Sequence, residues 1–164
     1  MKTFLKWWLF FTLVVIATVF CGFFGLLKEI WEKDASYLSY AVLSLFFIGS
    51  LMCGSNLLLL GSKKKPTLAE INYFEEREEV GWFLSEVCLN LGMLGTIIGF
   101  VMMLSGFNSL DISKQHTIQN LLTDLGRSMG TALYTTLIGL ICGQCLKIQY
   151  FLMGLEINKK RKLL

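Results

Sequence analysis

An all-α membrane fold with four transmembrane helices follows from three observations. The chain has 164 residues, of which 54% are hydrophobic and 16% charged, whereas soluble domains run about 45–50% apolar and about 25% charged. The apolar excess is gathered into four long runs, and a run of roughly 18 or more apolar residues reads as a span. Basic residues crowd some of the intervening segments and avoid others, which sets the orientation.

The first span is predicted over 4–27. Lys2 and Lys6 beside it imitate a signal peptide, but its apolar region of about twenty residues is longer than the usual ~7–15, and no small-residue cleavage site follows. It is expected to stay as an uncleaved helix. The second span, 37–60, is broken only by small polar residues such as Ser44, Ser50 and Asn56. The third covers 87–104, and the fourth, 129–153, passes through Lys147. Each is long enough to cross roughly 30 Å of hydrocarbon at about 1.5 Å per residue.

Lys2, Lys6, Lys63, Lys64, Lys65, Arg77, Lys147, Lys159, Lys160, Arg161 and Lys162 fall on one side, against Lys28, Lys33, Lys114 and Arg127 on the other. The rich side is cytoplasmic under the positive-inside rule, so both termini lie inside. Thr67 with Glu70 three residues on is a capping box, with Pro66 just ahead. A helix is therefore predicted from Leu68 unbroken to Leu104, its first part, 68–86, standing in the cytoplasm. The chain 1–164 is expected to be one membrane domain.

Several function classes are excluded. A net charge of +3 is too small and too scattered to suggest nucleic acid. Cys21, Cys53, Cys88, Cys142 and Cys145 lie in or beside apolar runs, an odd set unsuited to a disulfide framework. His116 stands alone in the external link 106–126. With no Ser-His-Asp arrangement, phosphate loop or metal-ligand cluster, no enzyme activity, metal or cofactor is expected.

The residues with most to say lie in the third and fourth spans. Gly92, Gly95, Thr96 and Gly99 share one helix face, as do Ala132, Thr136, Gly139 and Gly143. Small residues at this spacing let helices approach closely in lipid, so helix packing alone would explain them. Register adds a second meaning. The two spans run antiparallel across a short link, which sets Glu86 near the depth of Lys147. Counting outward, Thr96 and Thr136 reach a common depth near the middle. Glu86 and Lys147 either pair at the inner boundary or snorkel separately to water. No Asp or Glu lies in the middle of any span, although ionisable groups there mark ion paths and proton relays. Protons crossing here would need a carboxylate from a partner.

Two stretches carry a resemblance. Leu91-Gly-Met-Leu-Gly-Thr-Ile-Ile-Gly-Phe100 resembles the G-x-x-G-T-x-x-G signature of MotA/TolQ/ExbB proton-channel proteins. Thr131-Ala-Leu-Tyr-Thr-Thr-Leu-Ile-Gly-Leu140 resembles their A-L-x-x-T-x-x-G signature. The resemblance covers about the last eighty residues and implies a proton-motive-force-driven motor of the bacterial inner membrane. It implies a homo-oligomeric ring, a pentamer, around two copies of a single-span MotB/TolR/ExbD-like partner. It further implies that the partner brings the proton-binding aspartate and that Thr96 and Thr136 line the path to it.

The departures point to a reduced member of the kind a phage could carry. The long cytoplasmic link with which MotA proteins engage a flagellar rotor is missing, which argues against flagellar torque. Four spans match MotA, whereas TolQ and ExbB have three. Cys145 replaces a proline common late in the last helix, and Thr131 stands where TolQ and ExbB carry a glutamate. Two rival readings remain at this point. One is a partner-independent, holin-like pore or structural protein. The other is a thiol oxidoreductase built on Cys142-Gly-Gln-Cys145, which would need accessible thiols.

Overall fold

The computed structural model describes residues 5, 7–9, 11–12, 14–16, 38–63, 66–107 and 115–162, which are helical apart from Lys63, Pro66, Thr67 and the final turn. Most of the predicted first span and residues 108–114 of the link between the last two helices lie outside them, as does the side chain of His116. The helices are α1 (Trp7–Ile16), α2 (Leu38–Ser62), α3 (Leu68–Phe107) and α4 (Gln115–Arg161). Among the described residues, three helices are long and apolar enough to cross a membrane: Leu38–Ser62, Leu68–Ser105 and Ser128–Arg161.

α3 starts where the capping pattern puts it. Glu70 accepts a hydrogen bond from the Thr67 backbone N–H at 3.0 Å, satisfying one of the donors that a helix start leaves open. Lys63 pairs with the same carboxylate, and lysine and backbone donor together hold the Glu70 carboxyl below its ordinary range. The far end of α4 closes this corner. Lys160 donates to the carbonyls of Leu60 and, at 2.6 Å, of Lys63, covering acceptors that the last turn of α2 leaves unmet. Arg161 pairs with Glu75 at 2.6 Å. The basic last turn of α4, Lys159 to Arg161, also suits the negative end of the helix dipole.

α4 runs past its predicted end at 153 because the apolar periodicity continues. Met153 and Ile157 are buried beside Ile71 and Phe74 of α3. α3 and α4 pack antiparallel along most of their length. α2 lies along one side of this pair, and it and α1 are pinned by hydrogen bonds that the sequence alone does not reveal. Tyr150 donates to the Gly49 carbonyl at 2.9 Å, the Cys53 thiol to the Gln149 carbonyl at 3.5 Å, and the Trp7 indole to the Gln149 side-chain oxygen at 3.3 Å. In lipid such bonds are worth about 0.6–2 kcal/mol each. Glycines make the room. A Cβ on Gly81 would stand 2.0 Å from the Tyr150 ring, and one on Gly54 would stand 2.2 Å from Trp7.

Glu78 occupies a position on the α3 face that meets α4, half-buried, and Gly154 leaves space for its carboxylate. The Trp82 indole donates to it at 3.3 Å. Burial raises the Glu78 carboxyl above its ordinary range; the Trp82 bond opposes this, and the charges of Glu75 and Glu79 add to it.

Two outcomes follow for the detergent-purified protein. Gly81→Ala displaces the Tyr150 ring and should cost about 1–3 kcal/mol, seen as a lower midpoint in thermal unfolding followed by circular dichroism. Gly126→Ala, with open space around it, should be neutral or gain up to about 1 kcal/mol from helix propensity. Glu78 has a raised folded pKa, so the stability it contributes is complete below the ordinary glutamate value. That contribution is lost as pH rises through the raised value. Glu78→Gln should flatten this part of the midpoint-versus-pH curve and raise the midpoint at neutral pH; an unaltered slope would contradict the assignment.

Candidate functional site

The face of α3 turned to α4 reads Ile71, Phe74, Glu78, Gly81, Ser85, Cys88, Gly92, Gly95, Gly99, with steps alternating between three and four. A repeat of this kind keeps one helix face on its partner and gives a left-handed crossing. α4 answers with Ala132, Thr135, Gly139, Gly143, Leu146, Tyr150, Met153 and Ile157. The seam is tightest at its centre. A Cβ on Gly139 would lie 2.7 Å from the Gly92 Cα and 2.9 Å from the Cys88 carbonyl oxygen. One on Gly95 would strike the Thr135 hydroxyl at 2.1 Å, and one on Gly99 the Ala132 Cβ at 2.5 Å. Gly143 faces Leu89, where an added Cβ would come to 2.8 Å. All six small residues singled out in the sequence therefore sit in this interface, and all are buried.

The threonines differ from one another. Thr135, which the sequence motif did not single out, is the buried one, filling the notch over Gly95. Thr136 is half-buried, its hydroxyl 2.9 Å from both the Gly92 and the Ala132 carbonyl oxygens. In an α-helix the Gly92 carbonyl is also the one to which the N–H of residue 96 points. Thr96 is half-buried as well, and its hydroxyl donates to the Met93 carbonyl at 2.5 Å. Both hydroxyl protons are thus committed to backbone carbonyls, which leaves oxygen lone pairs to accept from a further donor. Gly92 opposite Gly139 and Gly99 opposite Ala132 put residue 96 level with 135. Thr136 is then about 1.5 Å away in depth.

The two hydroxyls also share a side. α2 reaches the pair at Leu84 and Leu146, which flank Gly49, and at Gln149. At 100° per residue, Thr96 is turned about 120° from Leu84, and Thr136 about 140° from Gln149. Both lie on the edge of the seam opposite α2.

Of the two arrangements left open for Glu86 and Lys147, the ion pair is not made within the chain. Glu86 is exposed and Lys147 half-buried, and the ion pairs among the described residues at this end are Lys63–Glu70 and Arg161–Glu75. Each follows a seam residue, Ser85 and Leu146, by one position. Each side chain therefore points about 100° away from the facing helix. Asn90 and Gln144, absent from the sequence motifs, are exposed on the same two stretches. Cys142 is buried and Cys145 partly so, both as free thiols. No group of three His, Cys, Asp or Glu side chains among the described residues is placed to hold a metal ion.

The family model for the MotA/TolQ/ExbB proton channel family matches residues 67–160, more than half of the chain, with all of α3 and all of α4 but Arg161. No curated protein and no solved structure matches the chain.

Gly139→Leu should separate the helices, since its contacts are backbone atoms that cannot swing aside. Loss of a large part of the folded population, read by size-exclusion chromatography in detergent, is the expected result. Thr96→Val, at a half-exposed edge, should leave the elution profile unchanged.

Proposed function

We propose a function from one settled premise: the chain belongs to the MotA/TolQ/ExbB proton channel family. It is the channel subunit of a proton-motive-force-driven motor in a bacterial inner membrane. Copies form a ring, a pentamer, around a single-span MotB/TolR/ExbD-like helix present in two copies. The partner's aspartate carries the proton. The chain crosses the membrane four times with both termini in the cytoplasm.

The observation that supports this reading is the pair Thr96 and Thr136. They stand at nearly one depth, on the edge of the seam away from α2, with their own protons engaged. A ring with α2 outward turns that edge toward its axis. A hydroxyl whose proton is already donated offers its lone pairs to the O–H of a protonated carboxylic acid. A neutral acid at mid-bilayer avoids the desolvation of a charge, which costs at least about 2.5–3.5 kcal/mol there. The threonines would hold the protonated aspartate while the ring and its partner move relative to one another, and exposure to water at the inner face would release the proton.

The mechanism assigns no catalytic residue and no cofactor to this chain. Its buried Cys142 gives the C-x-x-C pair no open position from which to exchange disulfides. Without the extended cytoplasmic link of MotA, the energised process is other than flagellar rotation.

The test is co-expression with the product of the adjacent gene and measurement of proton flux in vesicles. Thr136→Val keeps the shape and removes a hydrogen bond of about 1–1.5 kcal/mol, so flux should fall about tenfold with assembly intact. Thr96→Val should act in the same direction. Full flux in assembled double-valine complexes would overturn the role of the hydroxyls. A complex that conducts with no partner helix would favour a holin-like pore instead.

A further inference from the structure

A second set of polar residues on α3 and α4 lies outside the seam. Glu86 and Asn90 are four apart on α3, so they form one stripe; Gln144 and Lys147, three apart on α4, form another. Apolar exposure brackets both. On α3, Val80 and Phe83 lie inward and Leu94 and Ile97 outward. On α4, Ile148 and Phe151 lie inward and Leu137 and Leu140 outward. The four polar side chains therefore have exposed apolar side chains on both sides, Glu86 lying about 10 Å outward of the exposed Glu79, which draws the apolar belt inward past the boundary expected at residue 86. Facing lipid there, a carboxylate, an ammonium and two amides would be costly.

They cannot satisfy one another within the chain. Glu86 and Asn90 point away from α4, Gln144 and Lys147 away from α3, and all four lie on the side turned from α2. Their chemistry is nevertheless complementary: α3 offers an acid and an amide, α4 a base and an amide. Their depths also agree. Gly92 opposite Gly139 and Gly81 opposite Tyr150 put Glu86 level with residue 145, between Gln144 and Lys147. Rotation about an axis along the membrane normal preserves depth, so the same match holds between neighbouring copies in a ring.

We propose that Glu86 and Asn90 of one copy bind Lys147 and Gln144 of the next, making a polar lock that joins α3 to the neighbour's α4. This rests on the ring reading above and deepens it. The contact is heterologous, since different surfaces meet, and a heterologous contact repeated by rotation closes into a ring. The lock removes four polar groups from lipid at once and fixes the vertical register of the copies, which keeps the threonines of all subunits at one level.

The test uses full-length chains expressed with the partner and counted by native mass spectrometry. Glu86→Lys alone and Lys147→Glu alone should each reduce the assembled fraction at least tenfold. Co-expressing the two variants under different tags should restore assembly in part, with both tags in one complex, because opposite charges then meet only between unlike copies and a ring of five keeps one junction between like copies. A lock within one chain could not be rescued in this way. The doubly reversed chain, Glu86→Lys with Lys147→Glu, should also assemble, which guards against simple misfolding of the single variants. Rings that form normally from either single variant would overturn the lock and leave the ring standing. Failure of both the mixture and the doubly reversed chain would overturn it as well. A wild-type chain that stays monomeric would overturn lock and ring together.

Discussion

The backbone contact between α3 and α4 at Gly92 and Gly139 constrains the rest of the molecule. Lipid supplies no hydrophobic driving force for helix association, so packing and hydrogen bonds must do it. With a Cα-to-Cβ distance of only 2.7 Å available at Gly139, no side chain fits between the helices at this level. That closeness lets the Thr136 hydroxyl of one helix reach the Gly92 carbonyl of the other. It also brings Thr135 into the notch over Gly95. Wider spacing would lose the hydrogen bond and leave the threonines with only their own helix to bond to.

Large residues replace small ones as the seam runs toward the start of α3 and the end of α4. Tyr150 covers Gly81, and Leu146, Met153 and Ile157 are fully or almost fully buried. Here α2 joins the pair through Tyr150, Gln149 and Cys53, and the charged corner of Lys63, Glu70, Glu75, Lys160 and Arg161 closes the end. One edge of the α3/α4 pair, that of Thr96 and Thr136, is left free of α2, while the other is braced by it. On the proposed function, the free edge would stand open to the partner helix and the braced edge would hold the register.

Much of this was legible in the sequence. The capping residues Thr67 and Glu70 set the start of α3, and uninterrupted apolar periodicity carried it through to the outer end. The glycines at three- and four-residue spacing marked the tight interface, because only a missing side chain permits such an approach. What escaped were features that depend on rotation about the helix axis. Thr135 and Thr136 are adjacent in sequence, and only the crossing geometry decides which enters the Gly95 notch and which faces the edge. Glu86 and Lys147 agree in depth, yet each is turned about 100° off the seam, so matching depths did not make a pair. Trp7, Gln149 and Tyr150 join helices far apart in the chain, and no local pattern announces such bonds.

The same rotation gives the polar stripes their meaning. A membrane helix can hide a polar side chain by turning it toward a neighbour, toward water or toward the surface. Glu86 and Asn90 use none of these within the chain, and apolar side chains continue on both sides of them. Such an arrangement persists only if something else covers it. A lipid tail offers no hydrogen bonds, and in the proposed ring two central helices cannot meet this side of every subunit at once. A neighbouring copy presents a base and an amide at the same depth on the opposite edge. The physical demand to satisfy those groups therefore favours the proposed repeating contact between like chains, and a closed ring would let every copy meet it.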